Sequence, residues 1–294
     1  MKKDYIKYIL ALLLFGSNGV VASYIDLSSY EIVFFRTLIG GLFLAVVFLL
    51  SRGQFRALRD RKSFCYLVLS GAAMGANWMF LYEGYRQIGV GLATLASYFG
   101  PVIVMALSPL VFREKLVATK VAGILAAFCG MVLVDWNALA DSGLSWGLVC
   151  GFMAAVMYAV MILCNKKARG ITGLENTLWQ LAAALVVVKV FMALREGGNL
   201  LPSVPGDSIL PILLLGVVNT GVGCYLYFSG VGKLPAQSVA ICGYLEPLST
   251  LVFSALCLQE RLTPIQAVGA ALILGGAAFG ECWGHRKLET QCQS

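Results

Sequence analysis

Apolar residues run along this chain in ten blocks, each about the 20 residues that a helix needs to cross a hydrocarbon core of roughly 30 Å. The blocks cover residues 5–25, 30–50, 64–84, 91–112, 118–136, 144–164, 173–194, 208–229, 236–257 and 262–283. The breaks between them are short and carry charges and turn formers, as in Arg52 to Lys62, Asn137 to Gly143 and Asn199 to Asp207. No segment reads as a soluble domain. The pattern predicts an all-α integral membrane protein with ten transmembrane helices. The basic start, Met1 to Lys7, followed by an apolar stretch resembles a secretory signal. Many similar stretches follow and no small-residue cleavage pattern does, so it reads as the first retained span.

Composition agrees with lipid as the solvent. Of the 294 residues, 59% are hydrophobic and 13% charged, against a charged share of about a quarter in soluble domains. The 32 glycines lie inside apolar runs, where small residues let helix backbones approach. The net charge of +7 is a topology signal: with the N-terminus inside, 17 of the 22 Lys and Arg fall on the cytoplasmic side. Arg86, Arg195 and Arg261 fall outside, and Arg36 and Lys189 within spans. This predicts a multi-pass protein of the cell membrane (a bacterial inner or plasma membrane) with both termini cytoplasmic. No basic stripe with interleaved aromatics points to nucleic acid. The nine cysteines are scattered without a C-x-x-C pair, and read as packing thiols.

An offset of 146 residues aligns spans three to five with spans eight to ten without a gap. Twelve positions match between Leu67 and Gly130, among them Tyr98/Tyr244, Pro101/Pro247, Glu114/Glu260, Gly123/Gly269 and Gly130/Gly276. The first two spans match the sixth and seventh more weakly, with Glu31 and Arg36 opposite Glu175 and Gln180. Two five-helix repeats follow, 1–137 and 144–284, with a cytoplasmic tail at 285–294. Because five is odd, the second repeat enters the membrane inverted, and such pairs open a central site alternately to each side.

These residues resemble the drug/metabolite transporter superfamily in its ten-helix EamA-type branch. The features are Phe15-Gly16-Ser17-Asn18, Arg36, and the paired stretches Pro101 to Glu114 and Pro247 to Glu260, each followed by a Gly-rich helix. The resemblance covers essentially the whole chain. It implies a central cavity closed by helix movements, with the fifth and tenth helices largely structural. The motifs are specific for the family and silent about substrate.

Glu246 sits near the middle of its span, where an ionised carboxylate is costly unless compensated. It reads either as a proton acceptor or counter-charge to a cationic substrate, or as a protonated group bridging helices beside Pro247. Its repeat counterpart is Gly100, so the charge is one-sided. Arg36 could clamp a substrate carboxylate; bracing helix ends or pairing with Glu31 is the favoured reading. Asn18, Asn77, Asn219 and Gln180 are amides in apolar surroundings. With Trp78, Tyr82, Tyr98, Tyr158, Trp179, Tyr225 and Tyr244 they suggest a polar, aromatic cavity, although any one could simply join two helices. Trp136, Trp146 and Trp283 read as interface anchors, and Glu114 and Glu260 as local caps or ion pairs. The single histidine, His285, has no partner cluster, so no metal or cofactor is implied.

The expected function is a secondary carrier, an exporter of a small polar or amphiphilic metabolite, working by alternating access in the lipid bilayer. Proton coupling through Glu246 or Arg36 is an option. An amino acid or amine is favoured, because aromatics and a buried Glu suit a cation while Arg36 suits a carboxylate. The rivals are an intramembrane enzyme acting on lipid or peptide, a channel, and a scaffold subunit. No span supplies a catalytic dyad, no Walker A loop is present, and no filter sequence or charge ring is visible.

Overall fold

The computed structural model describes residues 2–53, 55–57, 59–88, 90–134, 146–196, 204–257, 259 and 263–291, and all regular structure among them is helical. Eight stretches are long and apolar enough to cross a membrane: Lys2–Ala22, Ser29–Leu50, Arg61–Ile88, Ala93–Phe112, Trp146–Lys167, Leu174–Leu194, Gly206–Val231 and Ala236–Cys257. Ala118–Leu133 and Pro264–Gly280 are shorter apolar helices. They lie where the fifth and tenth spans are predicted and reach about 25 Å at helical rise. The predicted tail is helical as far as Gln291.

Several spans are interrupted. In the first, α1 (Lys2–Gly16) and α2 (Asn18–Ala22) part at Ser17, whose hydroxyl donates to Leu14 O at 2.7 Å. Helix α3 (Ser29–Leu50) starts on a capping box: Ser28 N donates to Glu31 Oε2 at 2.7 Å and Glu31 N to Ser28 Oγ at 3.3 Å. Helix α4 (Arg61–Ile88) starts behind Asp60. Hydrogen bonds from Ser63 hold the Asp60 carboxyl below its ordinary range.

The fourth span divides into α5 (Val90–Ser97) and α6 (Gly100–Phe112), and α7 (Ala118–Val134) follows. After α8 (Trp146–Lys167) and α9 (Leu174–Glu196), the eighth span runs from α10 (Ile209–Leu214) through a π-helical segment, Leu215–Val222, into α11 (Gly223–Val231). The ninth divides into α12 (Ala236–Cys242) and α13 (Leu245–Cys257), and α14 (Pro264–Gln291) is last. The fourth and ninth spans break for one reason. Pro101 and Pro247 lack the N–H that would have met the carbonyls of Ser97 and Gly243 four residues back; the Gly243 carbonyl takes the Glu246 N–H at 3.1 Å instead.

The two halves interlock. Helix α1 packs on α11 and α13, while α8 packs on α4, α5 and α6; α3 lies on the π segment, and α9 on both α4 and α3. Helices α7 and α14 form a pair of their own. At their crossing Gly123 faces Gly276 and Gly130 faces Gly269; a Cβ on Gly123 would fall 2.5 Å from Gly276 O, and one on Gly130 2.5 Å from Gly269 O. These four glycines are two pairs related by the 146-residue offset, each meeting the other's counterpart. Tyr98 and Tyr244, related likewise, stack with ring centroids 5.9 Å apart, and Tyr244 Oη donates to Tyr98 O at 2.8 Å.

Candidate functional site

A cavity of about 530 Å³ lies between the two halves. Its wall runs from the α2–α3 turn, at Ala22, Ile25 and Leu27, inward to Tyr158, Tyr227 and Glu246. Both proline-freed positions, Ser97 and Gly243, are on the wall, so the helix breaks lie at the cavity.

An arginine and an ionisable carboxyl face it. Arg36, on the second turn of α3, is 5% exposed. Its Nε donates to Thr220 Oγ1 at 2.9 Å, and its guanidinium lies 5.2 Å from the Trp78 ring centroid. Thr220 in turn donates to Leu215 O, five residues back, at 2.9 Å, so the π segment sets the position of the arginine. The two terminal amino groups of Arg36 have no partner among the described residues. Glu246 stands in the first turn of α13. Its carboxylate likewise has no hydrogen-bond or ion-pair partner among the described residues.

Of the predicted site residues, Asn18, Arg36, Asn77, Trp78, Tyr82, Tyr98, Tyr158 and Glu246 line the cavity. Asn77 also ties α4 to α8, donating to Ala154 O at 2.7 Å. Trp179, Gln180, Asn219 and Tyr244 lie outside its wall. The Trp179 ring packs 4.9 Å from Phe64 and 6.0 Å from Phe55 at the far end of α9. Gln180 bridges α9 and α4, accepting from Ser70 Oγ at 2.5 Å and donating to Asn176 at 2.8 Å. Asn219 spans the break of the first span, with its amide nitrogen 2.8 Å from Leu14 O, 2.8 Å from Ser17 Oγ and 3.0 Å from Asn18 Oδ1. Tyr244, fully buried, is spent on Tyr98.

Other lining residues escaped the sequence reading: Tyr85, Thr94, Cys224, Tyr227 and Phe228. The repeat offset carries the signal for three of them, since Trp78, Leu81 and Tyr82 map onto Cys224, Tyr227 and Phe228, and all six line the cavity. Also missed was a buried carboxylate, Glu83 in α4. It accepts from Tyr30 Oη and from Gln87 at 3.1 Å, and pairs with Arg86 at 3.5 Å.

The end of the molecule opposite the α2–α3 turn is closed. Tyr227 Oη donates to Tyr158 Oη at 3.3 Å, and Tyr8 Oη to Val239 O at 3.0 Å. Beyond them Glu114 Oε1 accepts Ala236 N–H at 3.2 Å, so it caps α12 in the other half rather than its own helix. Gln237 brackets the same loop, donating to Lys115 O at 2.9 Å and accepting from Val117 N at 3.4 Å. Lys120, one of the 17 cations assigned to the cytoplasmic side, is 2% exposed and donates to Ser238 Oγ at 2.8 Å, which Tyr5 Oη also reaches at 3.0 Å. Lys166 donates to Leu234 O, and Lys233 pairs with Asp4 at 3.5 Å. Glu31 is held in the α3 capping box and does not pair with Arg36. Glu260 lies outside the described residues.

A family model described as the EamA-like transporter family matches residues 3–135 and again 145–279. The chain belongs to the EamA-like transporter family. It is thereby a membrane protein of the drug/metabolite transporter superfamily. This EamA-like chain is 26% identical over 282 residues to the "Uncharacterized transporter YxxF" of Bacillus subtilis, covering 93% of this chain and 88% of that protein. It is 27% identical over 221 residues to a "Probable amino-acid metabolite efflux pump" of Escherichia coli, covering 71% and 74%. A solved crystal structure superposes on it with a TM-score of 0.82 at 18% identity, over 96% of this chain and 98% of that one. That likeness shows the fold alone.

Proposed function

We propose that this chain is a secondary carrier that exports a small polar or amphiphilic metabolite, an amino acid or an amine, by alternating access, and that it is not an enzyme. One observation carries the reading: a single cavity holds both an incompletely engaged guanidinium and a carboxyl without a partner among the described residues, between aromatic walls, and is shut at one end by contacts between the halves. A substrate with an amine meets Glu246 and the rings; one with a carboxylate meets Arg36. The inverted repeats supply the motion, with the latched end opening as the other closes. The relative named as an amino-acid metabolite efflux pump supports this substrate class at 27% identity. On this reading both termini face the cytoplasm and the chain resides in the cell membrane.

Flux in liposomes holding only the purified chain tests it, with labelled amino acids and amines and an imposed proton gradient. Saturable counterflow of one of them is expected. No flux above empty liposomes for either class would overturn the reading. For orientation, thiols introduced at Asp141 and Gly206 are expected to react from outside and one at Arg59 not to; outside labelling of Arg59 would reverse it.

A further inference from the structure

A second cavity, of about 610 Å³, lies at the latched end where α3 finishes and α9 begins. Its wall carries Arg52, Arg56, Thr172 and Glu175 above Phe48 and Tyr225. Lys7 stands 6.0 Å from the centroid of the Tyr225 ring, which brings a third cation to its edge. Glu175 is the acid here, and its Oε1 is already taken by the Ala57 N–H at 2.8 Å. Neither guanidinium has a hydrogen bond or ion pair among the described residues. Arg52 is held in the left-handed region, φ 51°, where the chain leaves α3, and Gly53 N donates back to Phe48 O at 3.0 Å. That turn folds the arginines back beside the helix end. Immediately before it, Leu49 and Leu50 are 69% and 80% exposed on the outer surface of α3, as lipid-facing residues are.

We infer that this cavity binds the phosphodiester headgroup of an anionic phospholipid, with Arg52 and Arg56 on the phosphate and Phe48 and Tyr225 against the glycerol and upper chain. The cations exceed the one engaged acid, a planar guanidinium fork suits phosphate oxygens, and a basic pocket at the membrane–water boundary beside an exposed apolar helix face suits an amphiphile. A free phosphate would use the arginines and leave the aromatic floor and the leucines idle. This site is separate from the central cavity and does not rest on the carrier reading.

The test uses the full chain purified in detergent and titrated with phosphatidylglycerol, with phosphatidylcholine of the same chains, and with glycerol phosphate. The readouts are the melting temperature and the number of lipids retained in native mass spectrometry. Phosphatidylglycerol is expected to raise the melting temperature and to be retained, and the other two to do neither. R52Q/R56Q is expected to weaken phosphatidylglycerol binding roughly thirtyfold, two interfacial cations' worth, while R59Q/R61Q, the same charge removed where the segment enters α4 and outside the cavity wall, leaves it within about threefold. R52K/R56K, which keeps the charges, is expected to bind in between, because a point charge loses the fork. The inference fails if glycerol phosphate matches the lipid, which would make this a free-anion site. It also fails if phosphatidylcholine binds equally, or if R59Q/R61Q costs as much as R52Q/R56Q.

Discussion

The two halves of this protein share a framework and divide its chemistry. Positions related by the repeat break their helices at the same place, before Pro101 and Pro247, and line the same cavity at Ser97 and Gly243. The charges do not repeat. Glu246 in the second half answers to Gly100 in the first, and Arg36 in the first to Gln180 in the second. Packing enforces part of this difference: a Cβ on Gly100 would lie 2.7 Å from Tyr158 Cδ1 and 3.1 Å from Ala155 O. Gln180 is occupied holding α9 to α4, whereas Arg36 makes one hydrogen bond among the described residues, to Thr220 of the π segment, which has no π counterpart in α4, and otherwise lies over the Trp78 ring. On the proposed carrier reading, a symmetric scaffold rocks between two states, and an asymmetric pair of ionisable groups gives a substrate one preferred orientation within it.

Making the second half resemble the first is expected to have the largest effect. Glu246→Gln keeps the size of the side chain and a carbonyl acceptor, and removes the ionisable group. Flux is expected to fall about a hundredfold, the upper range for losing one charged partner, with normal expression and a flattened pH profile. Parental flux with an unchanged pH profile would remove Glu246 from substrate and proton handling. Making the first half resemble the second is expected to cost less and to discriminate. Arg36→Gln is expected to lower flux of a carboxylate-bearing substrate about tenfold while sparing an amine that lacks the carboxylate. Equal losses for both would assign Arg36 to bracing alone.

Span positions were largely legible because burial in lipid is written as continuous apolar length: the predicted 30–50 and 173–194 are Ser29–Leu50 and Leu174–Glu196 in the structure. Which face of each span meets the cavity was not legible, because a helix apolar on all sides carries no stripe to mark the inner one. Hence Trp179, Gln180, Asn219 and Tyr244 read like Trp78, Asn77, Asn18 and Tyr98, and only the fold separates those spent on neighbouring helices from those that face the cavity. The helix breaks had a signal in Pro101 and Pro247; the π segment, made of ordinary residues from Leu215 to Val222, had none. Lys120 counted only as a cation of the cytoplasmic side, and its burial against Ser238 inside the latch had no signal in the sequence.

A steric test of the asymmetry is smaller still. Gly100→Ala gains helix propensity but forces Tyr158 aside, and is expected to cost about 1 kcal/mol of stability, read as a lower melting temperature. Gly243→Ala, at the matching helix break of the second half, supplies the comparison, since its Cβ would meet the carbonyls of Ala240 and Val239 at 3.2 and 3.3 Å. If Gly100→Ala is neutral, packing does not exclude a side chain at position 100.

The smallest expected effect separates the two ends of the molecule rather than its halves. At the latched end the Glu114 carboxylate accepts the Ala236 N–H, while Lys115 contributes its backbone carbonyl to Gln237. Glu114→Gln retains an acceptor oxygen and loses only the charge, a change of about 0.5 to 1 kcal/mol, which is roughly a threefold shift in how often that end opens. Glu114→Ala removes the acceptor as well and is expected to shift it further. Lys115→Gln leaves the bonded carbonyl in place and is expected to shift nothing. The reporter is Cys242, 6% exposed behind the latch in α12, kept as the sole cysteine and alkylated from the basic side. A rising order of alkylation rates, parent and Lys115→Gln together, then Glu114→Gln, then Glu114→Ala, is the expected result. Identical rates in all four would mean that the Glu114 contact does not hold the end shut, and the closure would then rest on the tyrosine packing of Tyr8, Tyr158 and Tyr227 beneath it.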